Sequence, residues 1–274
     1  MSIYDSLISA SQFATERWRV ARLEGSDEEK RLWLLVNEYR AFIDETGQVY
    51  LFEDYLKAGS PASRPHVSTT LEARKDATSR RVMELLVKAF NETPEPEQKR
   101  SASVLIHLLN FIADTGQLDA LEDYVNNRLE YAPFAIACFT KRDEAEAWLR
   151  GLAEPPSPTH ILIGDEYYRV WSSREDNTRG MYRDYVIEPY IEELAARGIP
   201  PSAPSFKTLE EAGAWLKIHP AAPFAFVSVA GEHYLAVHHK RLTHHSLHPV
   251  ASSLMEWEEK KRAAERETAP EDAD

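Results

Sequence analysis

The fold is decided by a stretch of 36 residues that occurs twice, FTKRDEAEAWLRGLAEPPSPTHILIGDEYYRVWSSR over residues 139–174 and FKTLEEAGAWLKIHPAAPFAFVSVAGEHYLAVHHKR over residues 206–241. Aligned without a gap, the two copies are identical at eleven positions. Self-similarity within one chain is the signature of a duplicated structural unit. The positions that both copies retain therefore indicate what the shared fold requires.

The segments around Trp148 and Trp215 predict a short helix in each copy. Acidic residues open both segments, where a carboxylate suits the positive end of a helix. Apolar residues then recur at the spacing of one buried helical stripe, and this stripe includes the two tryptophans. We expect both tryptophans to be structural.

A predicted β-hairpin follows the helix in each copy. Gly164 and Gly231 supply the positive φ that a tight turn needs, and the return strands begin at Tyr167 and Tyr234. A further helix follows each copy, so that the predicted unit is βαββα. Because one hairpin with one helix is marginally stable alone, the sequence predicts an α+β fold in which the two tandem units pack as an internal pseudo-dimer.

A second duplication lies in the front half of the chain. FIDETGQVYLFEDY over residues 42–55 matches FIADTGQLDALEDY over residues 111–124 at eight of fourteen positions. Each copy predicts a helical hairpin, in which an apolar helix stops where Gly47 or Gly116 adopts the left-handed conformation. We therefore assign residues 1–130 to a helical domain, 131–200 and 201–264 to the two βαββα units, and 265–274 to a disordered acidic tail.

The net charge of the chain indicates which classes of partner it could bind. The 274 residues include 45 acidic and 32 basic side chains, a formal net charge of −13. This charge repels nucleic-acid phosphate and attracts basic proteins. The alternative is that it only maintains solubility. Cys138 is the single cysteine, which excludes an internal disulfide, and no stretch is apolar enough to span a membrane. We expect a cytoplasmic protein.

No phosphate-binding loop, dinucleotide fingerprint or nucleophile elbow occurs in the sequence. The sequence favours a protein that is not an enzyme, and it indicates no cofactor. One cluster could still carry chemistry, since seven of the ten histidines fall between His219 and His248. His238, His244, His245 and His248 could offer imidazoles to a zinc ion, whereas the alternative is that they pack or lie at the surface.

The two return strands differ most at positions that we expect to be exposed. In the gapless alignment, Tyr168 stands against Leu235 and Trp171 against His238. Together with the turn residues Asp165 and Glu232, these side chains form a candidate partner-binding face. The alternative is drift in the core, because an error of one residue reverses the face of a strand.

Two motifs, Phe-Ile-x-x-Thr-Gly-Gln with Glu-Asp-Tyr and the tandem Glu-Ala-x-Ala-Trp-Leu with Gly-Glu-x-Tyr-Leu-Ala-Val, carry a resemblance. The chain resembles a group of uncharacterised myxobacterial proteins, some of which carry a phage head protein label. The resemblance covers about residues 30 to 250. It implies no activity, substrate or catalytic residue.

Three hypotheses about function follow. The first is a non-enzymatic, acidic, cytosolic protein-binding module that recognises another, basic protein, as an immunity-type protein neutralising a toxin or as an adaptor. The second is a phage-derived structural or assembly protein. The third is a metal-binding enzyme that uses the histidine-rich second unit. The sequence leaves the oligomeric state open.

Overall fold

The computed structural model of the chain describes residues 2–58, 66–73, 78–127 and 132–268. The chain divides into two compact units. The N-terminal unit consists of Met1–Arg128 with Pro155–Thr159, and the C-terminal unit consists of Leu129–Glu154 with His160–Asp274. The architecture is mixed α and β, with a helical region followed by two sheet-and-helix repeats, as the sequence predicts.

Helices make up most of the described part of the N-terminal unit. Its helices are α1 Ile3–Leu23, α2 Asp27–Glu45, α3 Val49–Ala58, α4 Thr69–Ala73, α5 Thr78–Glu92, α6 Pro96–Asp114 and α7 Leu118–Asn127. The first helix begins with a capping box, in which the Ser2 hydroxyl accepts a hydrogen bond from Asp5 N and the Asp5 carboxylate accepts one from Ser2 N. Residues 59–65, which include Gly59, Pro61 and Pro65, lie outside the described residues.

Both copies of the front motif form the predicted helical hairpins. Gly47 and Gly116 have φ of +70° and +72°, in the left-handed region that favours glycine. In the first copy, Gly47 N donates to Asp44 O at 3.1 Å and Gln48 N donates to Ile43 O at 3.0 Å. The second copy repeats both bonds, so that each helix ends in a Schellman motif.

The two copies of the front motif contact each other through equivalent residues. The side-chain amides of Gln48 and Gln117 exchange two hydrogen bonds of 2.8 Å. Phe42 packs edge-on against Tyr124 of the other copy, and Tyr55 packs against Phe111, each with ring centroids 5.5 Å apart. The front duplication therefore forms an internal pair in which corresponding residues have corresponding partners.

The C-terminal unit contains two four-stranded sheets. The first has the order β1-β2-β3-β4 and the second has the order β5-β6-β7-β8. The strands are β1 Cys138–Phe139, β2 Thr159–Ile163, β3 Glu166–Ser173, β4 Thr178–Arg183, β5 Ser205–Phe206, β6 Phe224–Val229, β7 Glu232–His239 and β8 His244–Pro249. The helices are α8 Arg142–Gly151, α9 Glu188–Ala196, α10 Leu209–Ile218 and α11 Val250–Thr268.

Each repeat has one strand more than the predicted βαββα unit. The added strands are β4 and β8, which pair antiparallel with β3 and β7. The sequence of β4, TRGMYR, contains a glycine and two arginines and so lacks the alternation of apolar and polar residues that is typical of a strand. In β8, histidines replace the apolar residues of a typical strand. The helix predicted to follow the first copy begins at Glu188, after β4. At the other end of the unit, α11 continues to Thr268, so that residues 265–268 of the predicted disordered tail are helical.

The first part of each repeat follows the gapless alignment. Phe139 packs against Trp148 with ring centroids 5.3 Å apart, and Phe206 packs against Trp215 at 5.7 Å. Each phenylalanine lies in a two-residue strand that pairs in parallel with the next strand of its sheet. Both tryptophans pack against the core beneath their helix. Each tryptophan therefore contributes to the packing of its own repeat.

The hairpins depart from the gapless alignment by one residue. Phe139 pairs with Ile163, whereas Phe206 pairs with Val229, so that the first copy holds one more residue before its hairpin. The turn of the first hairpin is Gly164-Asp165, and that of the second is Ala230-Gly231. Ala230 and Gly231 both have positive φ, as does Gly164. From this point on, Tyr168 and not Tyr167 is the structural equivalent of Tyr234.

Three apolar cores hold the C-terminal unit together. Two of them lie between one sheet and its own helix, α8 in the first repeat and α10 in the second. The third is shared by both repeats, and it includes Leu162 and Tyr167 from the first sheet and Leu235 and Val237 from the second. Helices α9 and α11 also connect the repeats, because Lys261 Nζ and Trp257 Nε1 both bind the Glu192 carboxylate at 2.9 Å.

Candidate partner-binding face

Two large aromatic side chains lie exposed on one face of the first sheet. In the β3–β4 register, Trp171 is opposite Gly180 and Arg169 is opposite Tyr182. Directly paired residues share a face of the sheet, and diagonal neighbours are within reach of aromatic side chains. Trp171 is 39% exposed and Tyr182 is 50% exposed. We call the surface formed by these two side chains and Arg169 of β3 the aromatic face.

Gly180 allows the indole of Trp171 to lie across β4. A Cβ atom at position 180 would stand 3.0 Å from Nε1 and Cζ2 of the indole ring, which is closer than ordinary van der Waals contact. The absence of a side chain at position 180 therefore leaves the space that the indole occupies. A tryptophan held in this way is presented to solvent at little further cost in side-chain entropy.

Charged groups border the aromatic face. Asp184 Oδ2 accepts from His160 Nε2 at 2.9 Å and stands 3.8 Å from Arg169 Nη1. Past the other end of β3, Glu175 and Asp176 are exposed in the loop to β4. The border thus contains both signs, and its most exposed carboxylates lie in this loop.

The other residues that we predicted to bind a partner do not lie together on one face. Tyr168 faces the α8 side of the sheet, and its hydroxyl donates to Glu166 at 3.4 Å. Tyr234 donates to Glu232 in the same way at 3.2 Å. Leu235 is fully buried in the shared core, which corrects the expectation that it lies on an exposed face. Its comparison with Tyr168 failed because the two positions are not structurally equivalent.

The histidines of the second repeat separate onto two faces of their sheet. His238 and His245 stack with ring centroids 4.4 Å apart, and His238 Nδ1 lies 3.2 Å from Ala221 O. His239 and His248 are on the opposite, buried face, where both rings approach the Ser246 hydroxyl. The candidate metal ligands therefore do not converge on one point.

The buried histidines form a polar network inside the shared core. Ser246 Oγ lies 2.8 Å from Nε2 of both His239 and His248, so that one hydroxyl can donate to one ring and accept from the other. The Tyr167 hydroxyl donates to Pro133 O at 3.1 Å and lies 3.5 Å from His239 Nδ1. Burial lowers the pKa of His239 to about 3 and that of His248 to about 4, and nearby Asp165 partly opposes both shifts. Both rings are neutral near pH 7.

His244 lies at the rim of this network. Its Nε2 stands 3.8 Å from the Asp165 carboxylate of the first repeat. This distance exceeds a hydrogen bond, and the pair consists of one imidazole and one carboxylate. Within the described ranges, no group of three or more His, Cys, Asp or Glu side chains has the placement that a metal ion requires.

Two further features bear on catalysis. Ser246 is completely buried, so that no substrate reaches the hydroxyl between the two imidazoles. The Cys138 side chain is exposed in the two-residue strand β1. Partial desolvation and the nearby Asp165 carboxylate raise the pKa of the Cys138 thiol, which disfavours the reactive thiolate.

The sequence analysis identified Trp171 and missed its neighbours. Tyr182 and Gly180 lie on β4, which the sequence analysis did not recognise as a strand, and Arg169 was hidden by the shift in alignment. A signal was present in the sequence, since Arg-Gly-Met-Tyr-Arg alternates around a glycine. A glycine within a strand often marks a place where another group approaches the backbone closely.

Comparison with protein-family models, with curated proteins and with solved structures finds no match to this chain. Among the described helices, none combines the length and the apolar character needed to cross a bilayer.

Proposed function

We propose that this protein is a non-enzymatic binding module that recognises a basic partner protein through the aromatic face. The observation that carries the proposal is the diagonal placement of Trp171 on β3 and Tyr182 on the edge strand β4, where both are exposed on one face of the sheet in a chain of net charge −13. Tryptophan, tyrosine and arginine are the residues that most often dominate the binding energy of protein interfaces.

The chemistry of this face suits cationic side chains. Lysine and arginine bind over the faces of tryptophan and tyrosine rings, with about 0.5–2 kcal/mol per contact. The exposed carboxylates of Glu175 and Asp176 in the neighbouring loop attract the same groups. We propose that the module acts in the cytoplasm and neutralises or recruits its partner, as an immunity-type protein or an adaptor would.

The test compares three forms of the tagged full-length protein in the cells that produce it. The first is the wild type, and the second is the double variant Trp171→Thr and Tyr182→Thr, in which threonine keeps the β propensity of the strands. The matched control is Ile218→Thr, which alters an equally prominent apolar residue, 76% exposed, at the end of α10.

We expect the wild type and the control to retain the same basic protein at low salt, and we expect the double variant to lose it. Truncating two such residues weakens an interface by about 2 kcal/mol or more, which corresponds to roughly thirtyfold in affinity. Retention that is equal in all three forms would contradict the proposal. Capture of acidic proteins alone would contradict it as well.

A further inference from the structure

The strand that carries Tyr182 is an edge of its sheet. The strand order places β4 at one end, and no other strand of the described chain pairs with it. The remaining edges differ from β4. Strands β1 and β5 are two residues long, and β8 ends at Pro249 and continues directly into α11. Short strands and proline are devices that protect an edge from pairing, and β4 has neither.

The hydrogen-bond pattern shows which backbone groups of β4 point outward. Asp184 N donates to Tyr167 O at 2.9 Å, so that residue 184 faces β3. Because residues of an antiparallel strand alternate in direction, Tyr182 and Gly180 also bond towards β3. The N–H and C=O groups of Arg179, Met181 and Arg183 therefore point away from the sheet.

The two arginine side chains of β4 are engaged inside the unit. Arg179 Nη1 donates to Leu149 O and Leu152 O at the end of α8, at 3.1 and 2.7 Å. Arg183 forms ion pairs with the carboxylates of Glu166, Glu188 and Glu256. Three carboxylates compensate the charge of Arg183, and the guanidinium of Arg179 is bound by carbonyl oxygens at the negative end of α8, so that both side chains are directed into the fold and not towards a strand beside β4.

We propose that β4 binds an extended basic segment of the partner as an additional antiparallel strand. This inference rests on the proposed function and specifies its binding mode. Backbone hydrogen bonds to Arg179, Met181 and Arg183 would supply affinity, as in other cases where a peptide extends a sheet. Side chains opposite Gly180 and Tyr182 would lie on the aromatic face. Cationic side chains at alternate positions of the segment would thus stack on Trp171 and Tyr182.

The antiparallel geometry specifies which backbone groups of the bound segment form hydrogen bonds to β4. In an antiparallel pair, residues directly opposite Met181 bond to it with both their N–H and C=O groups, whereas residues opposite Tyr182 point their backbone groups away. In a segment that alternates lysine and threonine, with lysines on the aromatic face, the threonine N–H groups bind β4. The lysine N–H groups remain in solvent.

The test uses three labelled peptides of about eight residues, enough to span β4. One alternates lysine and threonine, the second carries N-methyl groups on its threonines, and the third carries them on its lysines. Binding to the full-length protein is measured by fluorescence anisotropy. We expect methylation of the threonines to weaken binding by about tenfold or more and methylation of the lysines to leave it nearly unchanged.

The outcomes separate the binding mode from the proposed function. Equal binding of all three peptides, weakened by the Trp171→Thr and Tyr182→Thr substitutions, would overturn strand addition and leave the aromatic face as the binding site. A greater effect of lysine methylation would overturn the antiparallel arrangement. The absence of binding by any peptide would overturn the inference, and the retention experiment would then decide the proposed function alone.

Discussion

The two repeats of the C-terminal unit are similar in sequence, yet residues that are identical in the gapless alignment lie in different structural environments. Tyr167 and Tyr234 coincide in the gapless alignment, but Tyr167 is buried between the repeats and Tyr234 packs partly against the core beneath α10. The single additional residue before the first hairpin is the cause, because side chains alternate along a strand. A duplication thus preserved the helix, the sheet and the cores, and altered which side chains reach the surface.

The aromatic face follows from this shift. The structural equivalent of Trp171 is Val237, since both lie on the face of the sheet opposite their α8 or α10 helix. Val237 is completely buried in the shared core, whereas Trp171 is exposed beside Gly180. One repeat uses this position for packing, and the other presents it to solvent. Because of this difference, the proposed function assigns partner binding to the first repeat.

The largest expected effect is a difference in stability between variants of Tyr167 and Tyr234. We expect Tyr167→Ala to lower the free energy of unfolding by about 3–5 kcal/mol, because it removes a buried ring and a hydrogen bond to Pro133 O. For Tyr234→Ala, which removes a partly exposed ring, we expect about 1 kcal/mol. Urea unfolding of both variants measures the difference. Equal losses would show that the two tyrosines are equivalent after all.

The buried histidines of the second repeat predict that the stability of the protein depends on pH. Burial lowers the pKa of His239 to about 3 and of His248 to about 4, against about 6.5 in the unfolded chain. The unfolded state therefore binds more protons, and stability is lost as the pH falls from about 6.5 towards 4. Each histidine contributes a loss of about 1.4 kcal/mol at pH 5.5 relative to pH 7.5.

The variant His248→Gln, which keeps a hydrogen-bonding side chain near Ser246, isolates this contribution. Between pH 7.5 and pH 5.5, we expect its unfolding free energy to fall by about 1.4 kcal/mol less than that of the wild type. An identical pH dependence of the two proteins would contradict the neutral, buried state of His248.

The front duplication allows a smaller test of equivalence. Gly47 and Gly116 have nearly equal positive φ, but a Cβ at position 47 would stand 2.6 Å from Pro156 Cβ, whereas position 116 is open. We expect Gly116→Ala to cost about 1 kcal/mol for the backbone and Gly47→Ala to cost about 1–2 kcal/mol more. Thermal or urea unfolding measures both. Equal costs would mean that Pro156 moves aside freely.

The sequence predicted the elements that depend on local chemistry. Composition and spacing predict the glycines that end α2 and α6 and the tryptophans of α8 and α10. They also predict the tandem sheet-and-helix architecture. The sequence did not predict β4, because a strand made of arginine, glycine and tyrosine derives its stability from pairing with β3 and not from its own apolar pattern.

The aromatic face could be predicted only in part. Trp171 was identified by its difference from the second copy, although the residue used for that comparison, His238, is not its equivalent. Tyr182 and Gly180 join Trp171 only through the register between β3 and β4, which no local pattern specifies. The histidine cluster could be recognised from composition, but its separation into a stacked surface pair and a buried network depends on strand direction.

Amide hydrogen exchange of β4 and β8, measured in the same sample, tests the central claim most directly. The full-length protein is compared with and without the peptide that alternates lysine and threonine. We expect slower exchange in β4 when the peptide is bound and no change in β8, which serves as the internal control of equal length. Protection of β8 alone, or equal protection of both strands, would contradict the assignment of binding to the first repeat.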